Sequence, residues 1–82
     1  MTSREDVLAM LRRHLADMFE VPEAAVVPEA KLYEDLDLDS LDAVDLIVKL
    51  QEVTGRRIAP AEFKSVRTVS DVVDKIQRLM AG

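Results

Sequence analysis

Apolar residues recur at helical spacing in three separate stretches of this chain, and residues that start or stop a helix bound each one. The first stretch runs from about Ser3 to Phe19, with Val7, Leu8, Leu11, Leu15, Met18 and Phe19 three and four apart. Thr2 or Ser3 can cap it, Glu5 and Asp6 suit the positive end of its dipole, and Val21-Pro22 stops it. A second helix is expected to start at Asp39 and run to about Thr54, with Gly55 as its C-terminal stop. Asp39 and Asp42 there have the spacing of a capping box. Pro60-Ala61-Glu62-Phe63 predicts a short helical turn. Thr68 and Asp71 cap a last helix from Val69 to about Met80, whose inward face is Val69, Val72, Val73, Ile76 and Met80. The predicted fold is all-α, a small four-helix bundle of three main helices plus one short helix.

Between the first two helices lies a long first loop, from Pro22 to Asp39. A structureless stretch of that length is uncommon, so Val26, Leu32 and Leu36 are expected to anchor it to the core. Eighty-two residues predict a single domain over 1–82, near the lower limit for a self-sufficient core. Only Phe19, Tyr33 and Phe63 are aromatic, so the core must be built from Leu, Ile, Val and Met. Cysteine is absent, which removes disulfides, thiolate catalysis and cysteine–zinc sites together. No long apolar run and no leader pattern appears, so the expectation is a cytoplasmic protein without a membrane span, monomeric when alone.

The net charge of −5 is concentrated. From Glu34 to Glu52 seven acids (Glu34, Asp35, Asp37, Asp39, Asp42, Asp45 and Glu52) face Lys49 alone, a local −6, which leaves about +1 for the rest. Such a field repels nucleic acid and favours basic protein surfaces. A purely solubilising face is the bland alternative.

Projected at about 100° per residue, the second helix has two apolar faces. Ala43, Leu46, Ile47, Leu50 and Thr54 form a core-facing stripe. Leu41, Val44 and Val48 fall nearly opposite, flanked by Asp45 and Glu52, with Asp42 further round. So small a bundle cannot easily bury both faces, and an apolar stripe rimmed by acids makes a partner site unless the long loop covers it.

That outward face begins at Ser40, within Glu34-Asp35-Leu36-Asp37-Leu38-Asp39-Ser40-Leu41-Asp42. A nucleophilic serine needs a base and an oxyanion hole. His14, the only histidine, sits on the edge of the first helix's apolar face and reads as a partly packed helix residue. Ser40 therefore reads either as a plain first-turn residue or as a hydroxyl that another enzyme modifies.

Asp39-Ser40-Leu41 within Leu36 to Leu46 resembles the attachment motif of acyl carrier proteins, and the likeness extends over nearly the whole chain, through the helix order, the long loop and Thr68-Val69. The resemblance implies that Ser40 bears a covalent phosphopantetheine arm, flanked by Asp39 and Leu41 and donated from coenzyme A by a phosphopantetheinyl transferase. It also implies a carrier with no catalysis of its own, holding acyl groups as thioesters. The partners it implies are a ketosynthase, an acyltransferase or ligase, a ketoreductase and a dehydratase, each with a basic docking patch. Asp37, Leu38, Leu41, Asp42, Val44, Asp45, Val48 and Glu52 are the expected partner-binding residues. In the family, growing chains can also slip between the helices, and Leu46, Ile47, Leu50 and Ile76 supply a compatible lining.

Three departures weigh against service in housekeeping fatty-acid synthesis. Asp37 stands where bacterial fatty-acid carriers commonly have glycine. Val53-Thr54-Gly55-Arg56-Arg57 replaces a more acidic helix end, and Lys64 and Arg67 bring positive charge where family members are often acidic. The segments around Tyr33 and Phe63 look similar to carriers of specialised pathways, aryl-polyene synthesis among them. The expected function is acyl carriage in dissociated fatty-acid or polyketide-type biosynthesis. A carrier of aminoacyl groups and an unmodified helical adaptor are the rivals.

Overall fold

The computed structural model describes residues 3–81. Helix α1 spans Arg4–Phe19, and the Ser3 hydroxyl caps it by accepting from the Asp6 N–H at 3.2 Å. Thr2, the other cap considered, lies outside the described residues. Val7, Leu11 and Leu15 are buried along its inner face. The helix ends at Phe19, as expected, just short of the Val21-Pro22 pair. Glu20 turns into the left-handed region (φ 58°), and its N–H bonds to the Ala16 carbonyl at 3.0 Å. A left-handed cap on a residue other than glycine leaves no signature in composition, so the sequence pointed to the proline instead.

Helix α2 spans Ser40–Thr54, with Asp39 as its N-cap. The capping box is complete: the Asp42 N–H donates to the Asp39 carboxylate at 2.9 Å, and the Asp39 N–H donates to the Asp42 carboxylate at 3.2 Å. Gly55 ends the helix at φ 68°, its N–H bonded to the Gln51 carbonyl. A Cβ there would meet nothing within 4 Å, so the backbone conformation alone calls for glycine.

Helix α3 spans Val69–Ala81. The Thr68 hydroxyl accepts from the Asp71 N–H at 3.2 Å, and the Asp71 carboxylate accepts from the N–H groups of Arg67 and Thr68. Those bonds hold the Asp71 carboxyl below its ordinary pKa. Val69, Val72, Val73 and Ile76 are buried as expected, whereas Met80 is only partly buried against the core.

The short helix is a 3-10 helix over Pro60–Ser65, and it seats buried Phe63 against the core. A further 3-10 turn, Glu23–Ala25, lies inside the long loop and carries no buried residue, so hydrophobic periodicity could not announce it.

The loop is held down on two levels. Val26, Leu32 and Leu36 are buried, as expected, and so are Val21, Ala30 and Leu38. Its backbone is also bonded to the start of α3, where the first N–H groups of a helix need outside acceptors. The Val69 and Ser70 N–H groups donate to the Ala30 and Pro28 carbonyls, both at 2.9 Å. The Leu32 N–H donates to the Arg67 carbonyl at 2.9 Å, beside an isolated antiparallel bridge between Lys31 and Thr68. The Arg12 guanidinium donates to the Val26 carbonyl at 2.9 Å and ties the loop to α1. Near its end the Leu38 N–H donates to the Leu32 carbonyl at 3.1 Å, which fixes the approach to α2. Among the described residues there is no strand, and no helix is long and apolar enough to cross a membrane.

Candidate functional site: the start and outer face of helix α2

Ser40 is the first residue of α2 and is exposed. Its neighbours have their polar groups committed elsewhere, since Asp39 and Asp42 each accept the other's backbone N–H. Among the described residues nothing hydrogen-bonds the Ser40 hydroxyl, and no acceptor meets the N–H groups of Ser40 and Leu41. A free hydroxyl beside two unpaired N–H groups at a helix N-terminus fits a phosphate ester, because both the dipole and the N–H groups favour an anion there.

A catalyst would need more. His14 is half-buried on α1, and its pKa is lowered first by burial and then by the positive charge of Lys49 and Arg13, with Asp17 opposing. No hydrogen bond among the described residues links it to Ser40.

The chain reaches Ser40 through a strained residue. Asp37 adopts φ 58°, in the left-handed region that favours glycine. The residue that departs from the glycine common in bacterial fatty-acid carriers thus stands where the backbone needs glycine-like freedom. Aspartate is among the few side chains that tolerate it.

Helix α2 is rotated as its two stripes required. Leu46, Ile47 and Leu50 are buried, with Ala43 and Thr54 partly so. On the outer face Leu41 is 74% exposed, Val44 49% and Val48 48%, so the long loop leaves this stripe open. Asp45 and Glu52 are exposed beside it, with Glu52 4.0 Å from the Lys49 ammonium.

One expected partner residue is corrected, and a second has a structural task as well. Leu38 is 6% exposed, because the turn that brings its N–H to Leu32 swings its side chain into the core. Asp42 is partly buried and its carboxylate closes the capping box, so its first task is to hold the helix start. Sequence reasoning also passed over Val53, which is 43% exposed and lines an apolar groove with Val7, Met10, Ile76 and Met80 at the far end of α2. It lies between the two stripes, so neither periodic pattern selects it.

Residues 9–76 match the family model described as a phosphopantetheine attachment site. The chain is 57% identical over 77 residues to "Acyl carrier protein 2" of Ralstonia nicotianae, covering 94% of this chain and 95% of that one. It is 41% identical over 73 residues to "Acyl carrier protein" of Rubrobacter xylanophilus, with 89% and 90% covered. With "Acyl carrier protein" of Thermosynechococcus vestitus the identity is 39% over 80 residues, with 98% and 99% covered.

Proposed function

The chain belongs to the acyl carrier protein family, and from that premise we propose that Ser40 is the residue that bears its phosphopantetheine group. The family membership makes it a carrier rather than a catalyst, with a covalent prosthetic group and biosynthetic enzymes as partners, a phosphopantetheinyl transferase among them. One observation carries the assignment of Ser40: an exposed, unbonded hydroxyl at the first position of α2, between two aspartates that are occupied in capping.

In the transfer, the Ser40 Oγ attacks phosphorus of the coenzyme A pyrophosphate. The Oγ–P bond forms, the P–O bond to the nucleotide breaks, and the hydroxyl proton passes to a base of the transferase. This chain presents the hydroxyl without steric cover and offers the Ser40 and Leu41 N–H groups to the phosphate. Once bound, the group supplies a thiol that holds acyl intermediates as thioesters.

The outer face of α2 serves as the docking surface in this reading. Leu41, Val44 and Val48 supply apolar contact, and Asp37, Asp42, Asp45 and Glu52 present negative charge to basic partner surfaces. Ketosynthase, acyltransferase or ligase, ketoreductase and dehydratase are the partner classes of a dissociated fatty-acid or polyketide-type pathway, placed in the cytoplasm. Asp37 in a left-handed position and the cations Lys64 and Arg67 support a specialised pathway over the housekeeping one, with aryl-polyene synthesis as the candidate. No observation favours aminoacyl cargo or an unmodified adaptor.

Intact mass after incubation with coenzyme A and a broad-specificity transferase tests the assignment. The wild-type chain gains roughly 340 Da, the mass of the cofactor arm, and Ser40→Ala gains nothing while keeping its helical circular dichroism. A gain retained by Ser40→Ala would refute it.

A further inference from the structure

The acidity of α2 has a counterpart in a small basic cavity between the long loop and the segment leading into α3. Lys31, Tyr33, Glu34, Lys64, Val66 and Arg67 enclose about 160 Å³. Lys31 is 3.3 Å from the Glu34 carboxylate and is largely neutralised. Lys64 and Arg67 have no ion-pair partner among the described residues, so the lining carries a surplus of two positive charges in a chain of net charge −5. The nearby acid on α3, Asp71, feels the Arg67 charge without an ion-pair contact, and its carboxylate accepts from the backbone N–H groups of Arg67 and Thr68. Tyr33 is 46% exposed with its phenol unbonded among the described residues, and Val66, 3% exposed, forms an apolar floor.

Backbone bonds tie this cavity to Ser40. Leu38, two residues before Ser40, donates to Leu32, and Leu32 donates to Arg67. Two residues of chain and two hydrogen-bonded backbone steps of about 5 Å each put the cavity wall at most roughly 18 Å from Ser40, a span that a flexible tether with an acyl end can cover. A phosphate esterified to Ser40 stays at the start of α2, whereas the acyl end is free to swing round to the cavity.

We propose that this cavity is a subsite for an arm-borne acyl group that ends in a free carboxylate. Lys64 and Arg67 pair with the carboxylate, the Tyr33 phenol donates to it, and Val66 packs against the adjoining methylene carbons. Charge-assisted bonds at so exposed a site are weakened by salt. The inference rests on attachment at Ser40.

The test loads the full chain in parallel from succinyl-coenzyme A and butyryl-coenzyme A, which have equal carbon counts and differ in the terminal carboxylate. Intact mass is read first: absence of loading at Ser40 refutes the attachment and this proposal with it. On loaded protein, the amide resonances of Tyr33, Val66 and Arg67 are expected to shift in the succinyl form and not in the butyryl form. Lys64→Gln combined with Arg67→Gln abolishes that difference, and so does raised salt. Both side chains are exposed, so the double variant keeps the wild-type melt. Equal shifts from the two acyl groups, or shifts already complete with the unacylated arm, would overturn the proposal; the latter would assign the cavity to the arm itself.

Discussion

Truncating Leu46 to alanine removes the branched end of a side chain that is 1% exposed, whereas the same change at Leu41 acts on one that is 74% exposed. Both changes are Leu→Ala on one helix, so differences in helix propensity between them are small beside the difference in burial. A buried Leu→Ala change costs about 2–5 kcal/mol in lost transfer energy and residual cavity. Leu46 belongs at the upper end, because Leu50, Ile47 and Ile76 around it are themselves 5% exposed or less and leave little room to collapse. For a domain of this size total stability is roughly 4–12 kcal/mol, and each kcal/mol shifts the melting point by about 4–8 °C. Leu46→Ala should therefore melt roughly 16–40 °C early, and Leu41→Ala within about 4 °C of wild type. Thermal circular dichroism of both variants, repeated with the pair Leu50→Ala and Val44→Ala, reads this directly. Coincident melts for Leu41→Ala and Leu46→Ala would refute the rotation of α2 on which the docking face depends.

Asp45→Lys should slow association with a partner enzyme and flatten its salt dependence, while Val48→Ala raises the dissociation rate and leaves the salt dependence alone; equal, salt-independent effects in stopped-flow binding would show the face to be merely structural. Asp37→Gly relieves the left-handed strain and should raise stability by up to about 1 kcal/mol, whereas Asp37→Val lowers it by about 1–2 kcal/mol; denaturant midpoints in the reverse order would contradict the φ of 58°. Acidification should weaken the fold in two steps. His14 has a folded-state pKa below 6.5, so stability declines as pH falls below that value, and His14→Gln removes this step. Asp71, held down by its backbone N–H bonds, contributes stability that is present above about pH 4 and lost as pH falls through its lowered folded-state value; Asp71→Ala should abolish this lower step in melts run against pH.

The helices were legible because each rule that marked them is local. The Asp39–Asp42 and Thr68–Asp71 pairs are three residues apart, and the stripes on α2 repeat within one element. The candidate serine was legible for the same reason, as a short motif in an acidic run. What escaped depends on contacts distant in sequence or on backbone conformation without a residue signature. Glu20 and Asp37 take left-handed φ values without being glycine, so no residue signature marks Glu20, and Asp37 is marked only by its resemblance to a glycine position. Leu38 reads as one more apolar residue in an acidic surface segment until the Leu38–Leu32 hydrogen bond turns it inward. The loop carbonyls of Pro28 and Ala30 serve a helix forty residues further on, and no spacing rule reaches that far. Likewise Lys31 and Tyr33 meet Lys64 and Arg67 only through the loop's attachment to α3.

The most direct test of the carrier function is peptide-level mass spectrometry of this protein purified from its native host. The account predicts phosphopantetheine on Ser40 in the peptide spanning the start of α2, with part of the population bearing an acyl group on the arm's thiol. An unmodified Ser40, or the group found instead on Ser3, Ser65 or Ser70, would contradict it.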